Sequence, residues 1–176
     1  MKKFASLLIA LALVLTSVSA LGAGAPTSPS KTNIDVFEVV SLTEGVWIKV
    51  VGNDFKAQAE VLRLRNAFLT GTPVSALFNT QVATEIAGAK DVLDVIAVQC
   101  GGETSEETVS FRIKGSTPYK NAVCVLGTYD SALNLYFYET LPTECQADGT
   151  AVVTMTLEQF ETVKAAKSTT LNFVQK

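Results

Sequence analysis

Near Lys90 the apolar residues of this 176-residue chain change their rhythm, from recurrence every three or four positions to strict alternation. Beyond that point Val109, Phe111 and Ile113 alternate with Ser110, Arg112 and Lys114, and Leu133, Leu135 and Phe137 alternate with Asn134, Tyr136 and Tyr138. Successive side chains of a strand point to opposite faces, so this is the pattern of half-buried strands. Residues 92–100, 122–129, 150–156 and 169–174 are further β-rich runs, separated by an acidic turn at 101–107, a Gly-Ser-Thr-Pro turn at 115–118 and the Asp148-Gly149 hairpin signal. Thr156 is placed to cap one short helix, 157–166, with Leu157, Phe160 and Val163 on one face.

Before Lys90 the chain reads differently. Residues 35–41 and 46–51 are short runs rich in Val, Ile, Phe and Trp with Thr43-Glu44-Gly45 between them, which predicts a β-hairpin. Asn53 or Asp54 can cap a helix over 55–69, where Ala57, Val61, Leu64 and Phe68 form an apolar stripe that Leu62 and Leu69 widen. Gly71 ends it, and Thr72-Pro73 opens two short helical turns through Val74, Leu77, Phe78, Val82 and Ile86. Helical segments clustered ahead of the strands, rather than alternating with them, give no support to a doubly wound parallel sheet. The expected fold is α+β: an N-terminal hairpin and two or three helices packed on a C-terminal antiparallel, sandwich-like β-domain. The expected divisions are 1–20, 21–33, 34–91 for the hairpin and helical region, and 92–176 for the β-domain.

Residues 1–20 carry the order of a cleaved export signal: Lys2 and Lys3, an apolar run of Leu and Ala, then Val18-Ser19-Ala20. That run is shorter than the roughly 20 residues a membrane span needs. Residues 21–33 are Gly, Ala, Pro and Ser with little else, the composition of a flexible leader. The expectation is a secreted, extracellular bacterial protein with no membrane span in its mature chain. Without Lys2 and Lys3 the balance is 12 basic to 17 acidic residues, a net charge of −5. Such a surface argues against a nucleic-acid partner, which needs clustered Lys and Arg.

The chain has no histidine. Ser-His-Asp and Cys-His nucleophile activation are therefore unavailable in their usual form, as are zinc sites built on imidazole. No cofactor motif is present: Gly101-Gly102 leads into an acidic segment that would repel phosphate. Glu103, Glu106 and Glu107 match no calcium-loop spacing and read as a solvated turn, so no metal site is expected. Asp91, Asp94, Glu139 and Glu144 offer carboxylate pairs of no particular specificity. Tyr136 and Tyr138 share one face of a strand and can form a flat platform for a sugar or a partner, or pad the sheet against the helical half; Tyr119 and Tyr129 fall nearby. Trp47 reads as a packing residue. Of Cys100, Cys124 and Cys145, at most one pair can bridge; Cys124 and Cys145 are that pair, the alternative being three reduced, buried thiols.

The segments Val109-Ser-Phe-Arg-Ile-Lys-Gly, Thr117-Pro-Tyr-Lys-Asn-Ala-Val-Cys-Val-Leu-Gly and Ala147-Asp-Gly-Thr-Ala-Val-Val-Thr-Met-Thr resemble the C-terminal β-domain of small exported proteins of Gram-positive, often gut-dwelling, bacteria. Thr72-Pro73-Val74-Ser-Ala-Leu-Phe78, running into 82–86, resembles their helical half. The resemblance spans 55–165 and implies architecture alone, with no functional residue to carry over. A tryptophan expected at 133–140 is replaced by Tyr136-Phe137-Tyr138. The function expected is a non-catalytic extracellular interaction protein binding a surface polymer or another protein. The alternatives are a small carboxylate-dependent hydrolase and a structural module of a surface assembly.

Overall fold

The computed structural model describes residues 36–176. The export signal and leader expected over 1–33 lie outside the described residues. Nine strands and three α-helices follow in the order β1 (Glu38–Ser41), β2 (Val46–Val50), α1 (Phe55–Leu69), α2 (Thr80–Glu85), β3 (Asp91–Gly102), β4 (Thr108–Lys114), β5 (Ala122–Asp130), β6 (Leu135–Leu141), β7 (Thr143–Cys145), β8 (Ala151–Thr156), α3 (Leu157–Ala165) and β9 (Thr169–Gln175). A single 3₁₀ turn, Val74–Ala76, precedes α2. The strands form two antiparallel sheets, a first of order β1-β4-β8-β7 and a second of order β2-β3-β9-β5-β6. The fold is α+β with a sheet-rich C-terminal part.

The alternation in β4 and β8 does what its period requires. Val109, Phe111, Ile113, Val153 and Met155 turn inward, against Ile96, Val98, Leu126, Leu171 and Phe173 of the second sheet. Helix α3 closes this core with Phe160 and Val163. Its start is fixed by a capping box, in which the Thr156 hydroxyl accepts from Gln159 N–H and the Gln159 side chain accepts from Thr156 N–H. The second sheet uses its other face as well: Val95, Val125 and Val174 pack on Leu64 of α1 and on Leu77, Phe78, Val82 and Ile86. Strand β9 sits between β3 and β5, so its residues are covered on both sides, including Thr169, Thr170 and Asn172. The closing strand of the chain is thus a central strand of the fold.

The expected N-terminal hairpin is corrected. β1 pairs with β4, with Val39 opposite Ile113, whereas β2 pairs with β3, with Ile48 opposite Cys100, so the two runs belong to different sheets. The connection between them is stapled to β4: Leu42 N–H donates to Ser110 O (2.8 Å) and Ser110 N–H to Thr43 Oγ1 (3.0 Å). Gly45, at φ 79°, lets the chain cross to the second sheet. A side chain there is excluded, since a Cβ would lie 2.3 Å from Glu103 O. Both runs carry inward apolar residues, and placing one in each sheet buries both sets in one core.

Candidate functional site

The two tyrosines singled out from sequence stand on β6, at the edge of the second sheet, and face α1. Tyr136 lies opposite Tyr129 of β5. The Tyr129 and Tyr136 rings are 5.4 Å apart and the Tyr136 and Tyr138 rings 6.2 Å apart at 20°, so the three form a ladder. Every hydroxyl in it has a partner inside the protein. Tyr129 donates to Asn134 Oδ1 (2.6 Å), which also accepts from Lys56 Nζ of α1 (3.3 Å). Tyr136 shares a 2.6 Å hydrogen bond with Ser168, and its phenol is pushed up to about 12, chiefly by burial, with Ser168 opposing. Tyr138 donates to Glu60 Oε1 and accepts from Arg63 Nη2 (2.8 Å).

Glu60 is a buried carboxylate, and Arg63 grips it with two 2.8 Å hydrogen bonds. That contact raises the already high guanidinium pKa further, against the cost of burial. The Tyr138 ring stands edge-on to Phe78, centroids 5.1 Å apart, while Asn79 Nδ2 donates to Tyr138 O. Gly127 makes room for the ring, since a Cβ there would meet Tyr138 Cε1 at 3.0 Å and Thr170 Oγ1 at 2.6 Å. Both rings are half-buried. The ladder is a seam joining α1 to the sheet edge, and Tyr119 is no part of it: Tyr119 is buried and stacked on Phe173 at 4.2 Å.

The other sequence-based candidates scatter. Asp94 is buried and accepts from Ser116, while Glu139 accepts from Gln159 of α3 (2.7 Å). Among the described residues no three His, Cys, Asp or Glu side chains are grouped as a metal would need. The expected Cys124–Cys145 bridge is not formed, and all three cysteines are free thiols. Cys124 is fully buried and faces the core from β5, whereas the Cys145 sulfur lies against the Ala122 backbone of that strand, 3.3 Å from N and 3.7 Å from O. Trp47, expected to pack, is 47% exposed on β2; its indole covers Gly101, and Lys49 Nζ lies 5.2 Å from the ring centroid. A depression of about 180 Å³ between the end of α1 and the start of β3 is lined by Arg65, Phe68, Leu69 and Val92–Val95. Ligand pockets generally need ~300 Å³ or more, so this one is small for an organic ligand.

What the sequence reading missed is the outer side of α1. Leu62 and Leu69 do not widen the buried stripe. They point away from the sheet, 51% and 80% exposed, in line with Phe55 at 77%. Ala57, Glu60 and Leu64 form the buried side. The repeat of Phe55, Leu62 and Leu69 at intervals of seven is legible in the sequence and places them on one line of a helix. The exposed charges of α1, Lys56, Arg63 and Arg65, are all basic, because its single acid is Glu60.

The fold is thus that of an α+β protein with a helical layer over one of two antiparallel sheets, and among the described residues the most exposed large apolar side chains, Leu69 and Phe55, lie on that layer. No protein-family model, curated protein or solved structure matches the chain. Among the described residues no helix is long and apolar enough to cross a membrane.

Proposed function

We propose that this chain is a non-catalytic interaction protein that works outside the cell and binds a protein partner through the outward face of α1. The observation that carries this reading is the line of Phe55, Leu62 and Leu69, three large apolar side chains left in solvent on a helix whose opposite side is already packed. Extracellular action rests on the export signal read in residues 1–20. A polymer-binding platform on Tyr136 and Tyr138 has less support, because both hydroxyls are committed to Ser168, Glu60 and Arg63. The hydrolase reading has less support again, with Asp94 and Glu139 engaged by Ser116 and Gln159.

A photo-cross-linking residue at Arg65 tests the proposal in cells that export the protein. The expected result is a discrete adduct that disappears when L62E and L69E are added. A control cross-linker at Arg112, exposed on the outer face of the first sheet, should give none. Equal adducts at both positions, or none at Arg65, would remove this reading.

A further inference from the structure

The outer face of α1 is more specific than an apolar patch. Phe55, Ala59, Leu62, Asn66 and Leu69 are all exposed and follow one another at intervals of four, three, four and three. That is the spacing of a coiled-coil seam, with the large residues at one core position of the heptad and Ala59 and Asn66 at the other. A small residue lets a second helix approach closely, and a single Asn at such a position fixes the register of a pair. A surface meant for lipid would gain nothing from an amide in the middle of its apolar line.

The charges on either side of the seam say what the second helix is. Lys56 and Arg63 flank it along one edge and Gln58 and Arg65 along the other, with no acid in either row; Arg63 is already answered by Glu60, which leaves Lys56 and Arg65 as the open charges. A second copy of α1 would add only more Lys56 and Arg65 charge along the seam, with no acid to meet it, which is unfavourable. Resting on the reading of α1 as the interaction surface, the geometry points to an acidic amphipathic helix of another protein as its partner. That helix lies along α1 as a two-heptad pair, with Glu or Asp against Lys56 on one edge and Arg65 on the other, the two flanking charges that no acid of this chain answers. Fifteen residues make a seam of about 22 Å. So short an apolar contact leans on its flanking charges, and its affinity falls with salt.

The test uses the exported chain and a designed four-heptad peptide with Leu and Ile in the core, one core Asn, and Glu at every flanking position. A twin peptide carries Lys at the flanks. The acidic peptide should bind one to one, at least tenfold more tightly than the basic twin. Binding should weaken at least tenfold between 50 and 500 mM salt and in an L62E/L69E variant whose circular dichroism is unchanged. Equal binding of the two peptides, no binding of the acidic one, or indifference to L62E/L69E would overturn the inference. So would tighter association with vesicles rich in phosphatidylglycerol, or self-association of the chain, if the same variant abolished it. If the peptide fails while the Arg65 adduct in cells persists, the interaction surface stands and only the partner's chemistry is wrong. Loss of both removes both proposals.

Discussion

Tyr138 meets three surfaces at once: its ring the edge of Phe78, its hydroxyl the Glu60–Arg63 pair, and its carbonyl the amide of Asn79. The energetic weight of the hydroxyl comes from Glu60, a buried carboxylate that would keep its two Arg63 hydrogen bonds but lose the third donor, a hydrogen bond to a charged group. Tyr138→Phe should therefore destabilise the protein by about 1–2 kcal/mol, read as a lower urea midpoint at unchanged slope. Tyr138→Ala also removes the contact with Phe78 and should cost about 2–4 kcal/mol. A full stability with either change, together with loss of retention on a polysaccharide resin, would restore Tyr138 to a binding platform. Asn134 plays a similar part at the other end of the ladder. Its backbone, at φ 55°, turns its side-chain oxygen toward both Tyr129 and Lys56.

Helix α1 carries two apolar lines with opposite destinies. Leu64 is fully buried against the second sheet, while Leu62, two residues earlier and about 160° around the helix, is in solvent. Leu64→Ala should cost about 2–5 kcal/mol, the range for a leucine deleted from a packed core. Leu62→Ala and Leu69→Ala should leave the unfolding free energy within about 0.5 kcal/mol of the parent. Urea unfolding of the three variants measures the contrast. A loss at Leu62 or Leu69 as large as that at Leu64 would mean that the outer line is already covered within the chain, and both proposals for α1 would fall. The strands show the same division between pattern and destination. β1 and β2 are each well formed, yet the turn between them, stapled to Ser110, sends them to separate sheets.

At the scale of the whole molecule, the core sets how stability responds to pH. Burial lifts the Cys100 thiol from 9.0 to about 11 and the Tyr136 phenol from 10.0 to about 12. In each case the unfolded chain gives up its proton at a lower pH than the folded one. Above pH 9 the folded state therefore holds more protons, and stability falls as pH rises. The contribution is intact below pH 9 and is lost between 9 and 11 for Cys100, and between 10 and 12 for Tyr136. Melting temperatures followed from pH 8 to 11 should decline, and Cys100→Ser should lessen the decline that begins at pH 9 without abolishing it, because burial raises the Cys124 thiol still further. An identical slope in the parent and in that variant would show that the thiol does not govern it.

Much of this architecture is legible from spacing alone. The helix over Phe55–Leu69, the strand Thr108–Lys114, the Asp148-Gly149 turn and the cap at Thr156 each depend on residues a few positions apart, and local chemistry settles them. Partners distant in sequence are another matter. Whether β1 turns back on β2 or joins β4 depends on which arrangement buries Val39, Val46 and Ile48 together, and no local window contains that choice. The same holds for the tyrosines. Alternation places Tyr136 and Tyr138 on one face of a strand, but only the packing of α1 on Tyr138 and of Ser168 on Tyr136 decides that this face is taken up within the protein. It also holds for Leu62 and Leu69: periodicity shows that α1 has two apolar lines, and the sheet can cover only one. The sequence by itself determined the elements, the absence of histidine chemistry and the heptad line on α1. The tertiary structure decided which apolar surface was used up in folding and which was left facing solvent, because burial belongs to pairs of surfaces and not to residues.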